Sequence, residues 1–251
     1  MVRGLSKFQE YFSEYSDSYI LIGGCACDRN LELQELKFRA TRDFDIVLCA
    51  EALDKRFFQV FWQFIRDGHY RICERSTGQK TFYRFHNPET EDFPSMLELF
   101  SRRLDLLELS DDAHLTPIPA EDEISSLSAI LLDDDYYRFL RDNSLVQNGL
   151  SFASPAALIV LKAKAWMDLN MRRKNGKQHI DSHNIRKHKG DIARLAQLLQ
   201  EEPLDLPANI QADMKDFLRG FLQETIDVRN LGLIISEDQV KQVLRKIFAP
   251  E

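Results

Sequence analysis

Two carboxylates set two residues apart, Asp43 and Asp45 in RATRDFDIVL (39–48), are the first chemistry this chain offers. In extended backbone they project from one face, while Phe44 and Ile46 project from the other. At an effective dielectric near 20, two such charges roughly 6 Å apart repel by about 3 kcal/mol. The pair therefore needs a cation, a basic partner or full solvation. A rigid strand end with two carboxylates suits a hard divalent cation, Mg²⁺ or Mn²⁺, which completes its shell with waters and phosphate oxygens. Spacing alone is more often a solvent-facing edge strand with two ordinary acids. The preceding IGG (22–24) shifts that balance, because glycines let backbone N–H groups approach a phosphate closely.

The elements that must hold these residues are readable in outline. SYILIGG is a short apolar strand stopped by Gly23 and Gly24, after a helix over 5–14, and a helix follows from Cys25 to about Leu36. FDIVLCA is a second strand. In ALDKRFFQVFWQFIRDGHY the residues Phe57, Phe58, Phe61, Trp62 and Ile65 fall at helical spacings, and Gly68 marks the end. KTFYRFH and SMLELFS are strand candidates joined by turn-rich NPETEDFP, and a short acidic helix, DDDYYRFLRDN, comes later. Near Ser154 the character changes. A Ser cap and Pro155 at the first helical position open SPAALIVLKAKAWMDLNMRR, and GDIARLAQLLQEE, ADMKDFLRGFLQETID and SEDQVKQVLRKIF also read as helices. The expectation is an α+β unit over 1–150, built on a mixed sheet with flanking helices, followed by a helical half over 151–251 that completes the active site.

Composition is that of an ordinary globular protein, 44% hydrophobic and 29% charged. No stretch is long and apolar enough to span a bilayer and no secretory signal opens the chain, so no membrane association and a cytoplasmic location are expected. Cys25, Cys27, Cys49 and Cys73 lie in apolar surroundings without disulfide or zinc-ribbon spacing and read as reduced, buried thiols. The net charge of −7 argues against a generic nucleic-acid coat, yet residues 161–194 carry ten Lys/Arg against three acids. Such asymmetry suits a surface that meets phosphates, although a solvated helical face is the commoner cause.

ILIGGCA followed by RATRDFDIVL resembles the DNA-polymerase-β-like nucleotidyltransferases, and most nearly their AbiEii-type branch, which includes toxins of toxin–antitoxin systems. Arg39, Thr41, Asp43 and Asp45 fall on the Arg-x-Thr-x-Asp-x-Asp pattern without a gap. Pro155, Leu158, Lys162 and Ala165 match the branch's Pro-x-x-Leu-x-x-x-Lys-x-x-Ala helix. KHKGDIARL (187–195) is similar to its Lys-Asp-x-x-Asp segment, with Asp191 on the last acid. Gly24 stands where many nucleotidyltransferases place a phosphate-contacting Ser, and His188 where the branch has Asp.

The resemblance implies a nucleotidyltransferase fold that moves a nucleoside monophosphate from an NTP to an acceptor and releases pyrophosphate. Asp43 and Asp45 would hold Mg²⁺, with a third carboxylate from a neighbouring strand, Glu98 or, failing that, Asp105. Gly23, Gly24, Arg39, Thr41 and Lys162 would bind the triphosphate. Asp191 would orient Lys162 or act near the acceptor, or else simply cap the helix that begins there. Arg172, Arg173, Lys174 and Lys177 would form a flexible basic loop against RNA, most naturally tRNA; a separately encoded antitoxin would be the protein partner. His179, His183 and His188 lie in a segment without helical apolar periodicity, so zinc is not expected there. Two other readings stay open: an aminoglycoside-type enzyme acting on a small molecule, and a degenerate fold that binds nucleotide without turning it over.

Overall fold

The computed structural model describes residues 2–72, 82–100, 130–131, 133–176, 182–200 and 202–249. Seven strands form one mixed sheet in the order β3-β4-β5-β2-β1-β7-β6. They are β1 (Tyr19–Ile22), β2 (Asp43–Leu48), β3 (Arg71–Ile72), β4 (Phe82–His86), β5 (Met96–Phe100), β6 (Ser144–Gln147) and β7 (Leu150–Ala153). β2 runs antiparallel to β1 and parallel to β5, and β7 runs parallel to β1. The expected α+β class, a mixed sheet with flanking helices and then a helical half, is what the chain forms.

Before residue 150 the helices are α1 (Leu5–Phe12), α2 (Gly23–Glu32), α3 (Lys55–Asp67) and α4 (Asp134–Asp142). After it come α5 (Pro155–Lys174), α6 (Ser182–Ala196), α7 (Ala208–Phe221), α8 (Val228–Leu231) and α9 (Glu237–Phe248). The period-2 alternation of β2 sorts its two faces. Phe44 packs on Phe8 of α1 with ring centroids 5.4 Å apart, inside an aromatic cluster that joins α1, β1 and α3. Asp45 turns the opposite way, against the start of α2. The apolar face thus clamps the strand, while the acidic face meets α2 and shares a cavity with α5 and α6.

Caps fix where the helices begin. Asp54 accepts from the Phe57 N–H at 2.8 Å, Ser154 accepts from Ala157 N–H with Pro155 next in line, and Ser236 with Gln239 closes a capping box on α9. A single apolar core holds residues from both halves, including Leu21, Phe44, Leu158, Ile159, Ile192 and Leu195. α5 enters that core so deeply that every residue from Ala157 to Ala163 is buried, Lys162 among them. Cys25, Cys27 and Cys49 are buried free thiols, and Cys73 lies outside the described residues. Among the described residues no helix is long and apolar enough to cross a membrane.

Several boundaries differ from the sequence reading. α2 starts at Gly23 itself, not at Cys25, and ends at Glu32, short of Leu36. α6 starts at Ser182, eight residues before Gly190; Ile185 is the one large apolar residue in that first stretch, and it packs into the core on the same face as Ile192 and Leu195. Asp191 is consequently a buried residue in mid-helix and does not cap a helix start. Arg172, Arg173 and Lys174 form the last turn of α5, where cations are favoured by the helix dipole, and so are not a loop. Lys177 and His179 lie outside the described residues, as do Asp105 and most of 125–132. The hairpin β6–β7 was not anticipated, although Asn148 and Gly149 between its strands carry φ of 51° and 74°, the two positive values of a type I′ turn.

Candidate active site

A cavity of about 110 Å³ opens where β1, β2, α2, α5 and α6 meet, lined in part by Gly23, Gly24, Arg39, Asp45, Lys162 and Lys187. Its acidic wall comes from the sheet. Asp45 lies opposite Ile22 on β1 and opposite Glu98 on β5, so the two carboxylates are cross-strand neighbours. Burial and then the Glu98 charge push the Asp45 carboxyl up to about 8. Glu98, only 8% exposed, is held by Arg84 from the next strand at 2.7–2.8 Å. Asp43 sits two residues earlier on the same face of β2 and is exposed at the strand's entry.

Two glycines bring the backbone into this wall. Gly23 has φ of +62°, and a Cβ there would lie 1.7 Å from Asp45 Oδ2, so only glycine lets the carboxylate rest over the helix start. A Cβ on Gly24 would lie 2.4 Å from the Thr41 hydroxyl oxygen. That contact explains the glycine where a serine was the alternative: Thr41 already fills the space a Ser side chain would leave through. No side chain caps α2, so its first-turn N–H groups remain open to an anion at the cavity edge.

The basic wall comes from the helices and is organised by one buried acid. Asp191 is fully buried and accepts two bonds from Arg39, at 2.9 and 3.0 Å, and one from Lys162 at 3.0 Å. Arg194 stands 3.6 Å away on the same helix. Burial alone would raise the Asp191 carboxyl, but Lys162 and Arg39 outweigh it and hold it well below the carboxylate range. Burial likewise opposes the Lys162 charge, and Asp191 more than restores it, leaving the ammonium firmly protonated. Three cations around one anion leave the cluster net positive.

Of the sequence-selected residues, Gly23, Gly24, Arg39, Asp45 and Lys162 line the cavity together, and Asp191 and Thr41 support them from behind. Glu98 adjoins Asp45, and Asp43 stands at the rim side of the strand. Lys187 and His188 also line the cavity. Lys187 had been noted as a motif position within the basic run, His188 as a departure from a motif and as a zinc ligand that was not expected, and Arg194 only as one cation of the run; Arg84 carried no signal. The donor set fits a hard divalent cation in kind, being carboxylate oxygens beside a group short of positive charge. It is not a complete cage, since among the described residues no three His, Cys, Asp or Glu side chains converge closely enough to hold a metal ion. Such a cation would rest on Asp43 and Asp45, with substrate oxygens completing its shell.

No family model matches the chain, and no curated protein sequence matches it. Among solved structures it is similar to the Megavirus polyadenylate synthase, at 10% identity and a TM-score of 0.32, over 82% of this chain and 38% of that one. A likeness at this level identifies neither fold nor activity.

Two outcomes follow from the charges. Replacing Asp191 by Asn leaves Lys162 and Arg39 without their buried counter-charge and costs about 3 kcal/mol, measured as a lower urea midpoint at unchanged m; a loss below about 1 kcal/mol would mean that the cluster is solvated. For Asp45 the sign runs the other way. Below about pH 4 its carboxyl is protonated whether the chain is folded or not. Between there and about pH 8 the unfolded chain ionises it and the folded chain does not, so stability falls as pH rises. Asp45→Asn therefore melts about 5 °C above wild type at pH 8, with the gap closing towards pH 4. Equal melting at both pH values would place the carboxyl in water.

Proposed function

We propose that the protein is a metal-dependent nucleotidyltransferase that moves a nucleoside monophosphate from an NTP to an acceptor hydroxyl. The observation that carries this reading is the cavity itself, where the Asp45 carboxylate faces the Lys162–Arg39 cluster across an uncapped glycine helix start. A triphosphate with its divalent cation carries both charges needed to complement those two walls. The acceptor oxygen forms a bond to the α-phosphorus, the bond to the bridging oxygen breaks, and pyrophosphate leaves with the electron pair. The hydroxyl proton passes to the carboxylate set.

In that reading Gly23, Gly24 and the first turn of α2 donate N–H groups to phosphate oxygens, Lys162 and Lys187 balance their charge, and Arg39 and Asp191 fix Lys162 in place. Mg²⁺ or Mn²⁺ on Asp43 and Asp45 supplies Lewis-acid stabilisation of the phosphoryl oxygens. Since phosphoryl transfer asks chiefly for positioning and charge stabilisation, a rigid two-signed cavity supplies what the step needs.

The acceptor is assigned to RNA, with tRNA the first candidate, because the wall across the cavity from Asp45 is basic, with Lys162, Arg39 and Lys187 on it, whereas a cationic aminoglycoside asks for a pocket that is acidic throughout. Resemblance to the AbiEii-type branch supports a toxin restrained by a separate antitoxin. One observation favours a different reading, a module that binds nucleotide without turnover: Arg84 already occupies Glu98.

Incubation with labelled NTPs, Mg²⁺ and total tRNA separates these. Transfer of label to RNA is expected, with Lys162→Met or Asp45→Asn slower by about 10³-fold. NTP binding without label on any acceptor would favour the silent module, and unchanged binding by the Asp43→Asn/Asp45→Asn pair would remove the metal from the reading.

A further inference from the structure

Glu98 was expected to share a cation with Asp43 and Asp45, yet its surroundings in the sheet are those of a different role. Asp45 lines the cavity, whereas Glu98 is not among the residues that line it. The Glu98 side chain is 11% exposed and stands between two partners, one on each flanking strand. From β4, Arg84 Nε donates to Glu98 Oε1 at 2.8 Å, and Arg84 Nη2 stands 2.7 Å from the same oxygen. From β2, the Asp45 carboxyl hydrogen-bonds to Glu98. Among the described residues no three His, Cys, Asp or Glu side chains are placed to hold a metal ion together.

A carboxylate serves a hard cation when its oxygens can reach the ion and still lack a positive partner. Glu98 meets neither condition, because it lies off the cavity and a permanently charged guanidinium already holds it. Register fixes that arrangement, since Arg84 is directly opposite Glu98 and Glu98 directly opposite Asp45. The Glu98 charge is nonetheless felt at Asp45, one strand away, and Arg84 cancels part of it. Together the two residues set how strongly Asp45 attracts a cation.

We propose that Glu98 and Arg84 form a charge-balanced strut behind Asp45, with both acting as positioning residues and neither as a metal ligand, so that the site takes one divalent cation on Asp43 and Asp45. The assignment rests on the reading that a divalent cation serves nucleotidyl transfer at those two carboxylates. It also gives the occupied Glu98 a place in a working site.

Manganese binding to the whole chain, counted by electron paramagnetic resonance of free Mn²⁺ without nucleotide, tests it. Wild type should bind one Mn²⁺ per chain, and Asp45→Asn should lose it. Arg84→Gln, which bares the Glu98 charge, should bind Mn²⁺ about tenfold more tightly. Glu98→Gln, which bares the Arg84 charge, should bind it about tenfold more weakly. Joining the two substitutions restores the charge balance without the carboxylate, so affinity should return to within about twofold of wild type. Arg84→Lys, which keeps the charge, should match wild type as well. Two Mn²⁺ per wild-type chain, or a loss of about tenfold that persists in the double variant, would make Glu98 a ligand. Either result would overturn the inference and leave metal-dependent transfer standing. No Mn²⁺ bound by any form would remove the metal from the reading and the inference with it. Should a single variant fail to fold, wild type and the double variant decide.

Discussion

A single buried carboxylate, Asp191, governs the arrangement of everything around the cavity. Two of its partners come from places distant in sequence, Arg39 before β2 and Lys162 in the middle of α5, and the third, Arg194, lies one turn along α6. Without it, two or three cations would be confined in a region where unpaired charge costs several kcal/mol per ion. Buried ion pairs of this kind contribute little net stability against apolar packing of the same volume, so their presence in a core is poor evidence of a stabilising role. What they do provide is position. The bidentate Arg39 contact fixes a planar fork, and the Lys162 bond fixes the end of an otherwise flexible chain at the cavity wall.

The acidic side is arranged by a different constraint, the alternation of β2. Phe44 and Ile46 are locked into the core, and that leaves Asp45 no direction but towards Gly23. The register then sets Glu98 beside it and Arg84 beside Glu98, two acids followed by one base across three adjacent strands. Arg84 relieves Glu98, and the relief stops there: Asp45 remains pushed towards its protonated form by burial and by that same glutamate. The sheet therefore presents a group that gains from any cation brought to it, while the helices present cations that gain from any anion. Neither wall can satisfy the other directly, because the rigid elements carrying them hold the cavity open between them. A ligand that is itself an ion pair resolves both.

This division explains what could and could not be read from the sequence. Strands β1 and β2, helix α3 and the capped start of α5 were legible because each depends on local chemistry: short apolar runs, helical apolar spacing, a Ser-Pro junction; the pair of glycines was read as the end of β1 and not as the start of α2. The core helix α5 was legible, but the burial of Lys162 rested on resemblance alone, since snorkelling would have left it in water. The start of α6 was hidden because Ile185 alone marks its core face before Gly190, too little to show a helical period; that error demoted Asp191 to a possible cap. Arg84 and Arg194 were invisible, since each acquires meaning only through a partner fixed by strand register or by the packing of α6 against Arg39. His188 was read as a departure from the branch's pattern, and its place on the cavity wall is fixed only by the packing of α6.

The basic run over 161–194 illustrates how far a charge count departs from a surface. Five of its nine described cations are answered inside the structure: Lys162 and Arg194 by Asp191, Arg172 by Asp168, and Lys164 and Lys189 by Asp213 and Glu224 from beyond the run. Arg173, Lys174, Arg186 and Lys187 are the exposed remainder among the described residues. These fall into two groups. Lys187 belongs to the cavity, whereas Arg173 and Lys174 lie eleven and twelve residues beyond Lys162 on one helix, about 15–18 Å along its axis. A polyanion reaching from the outer pair to the cavity would span two or three phosphates, because successive phosphates on a nucleic-acid strand are only several ångströms apart. So few contacts would supply modest, salt-sensitive affinity, and on the proposed reading selection among acceptors would come from the shape of the path between the two groups of cations and not from the total charge of the segment.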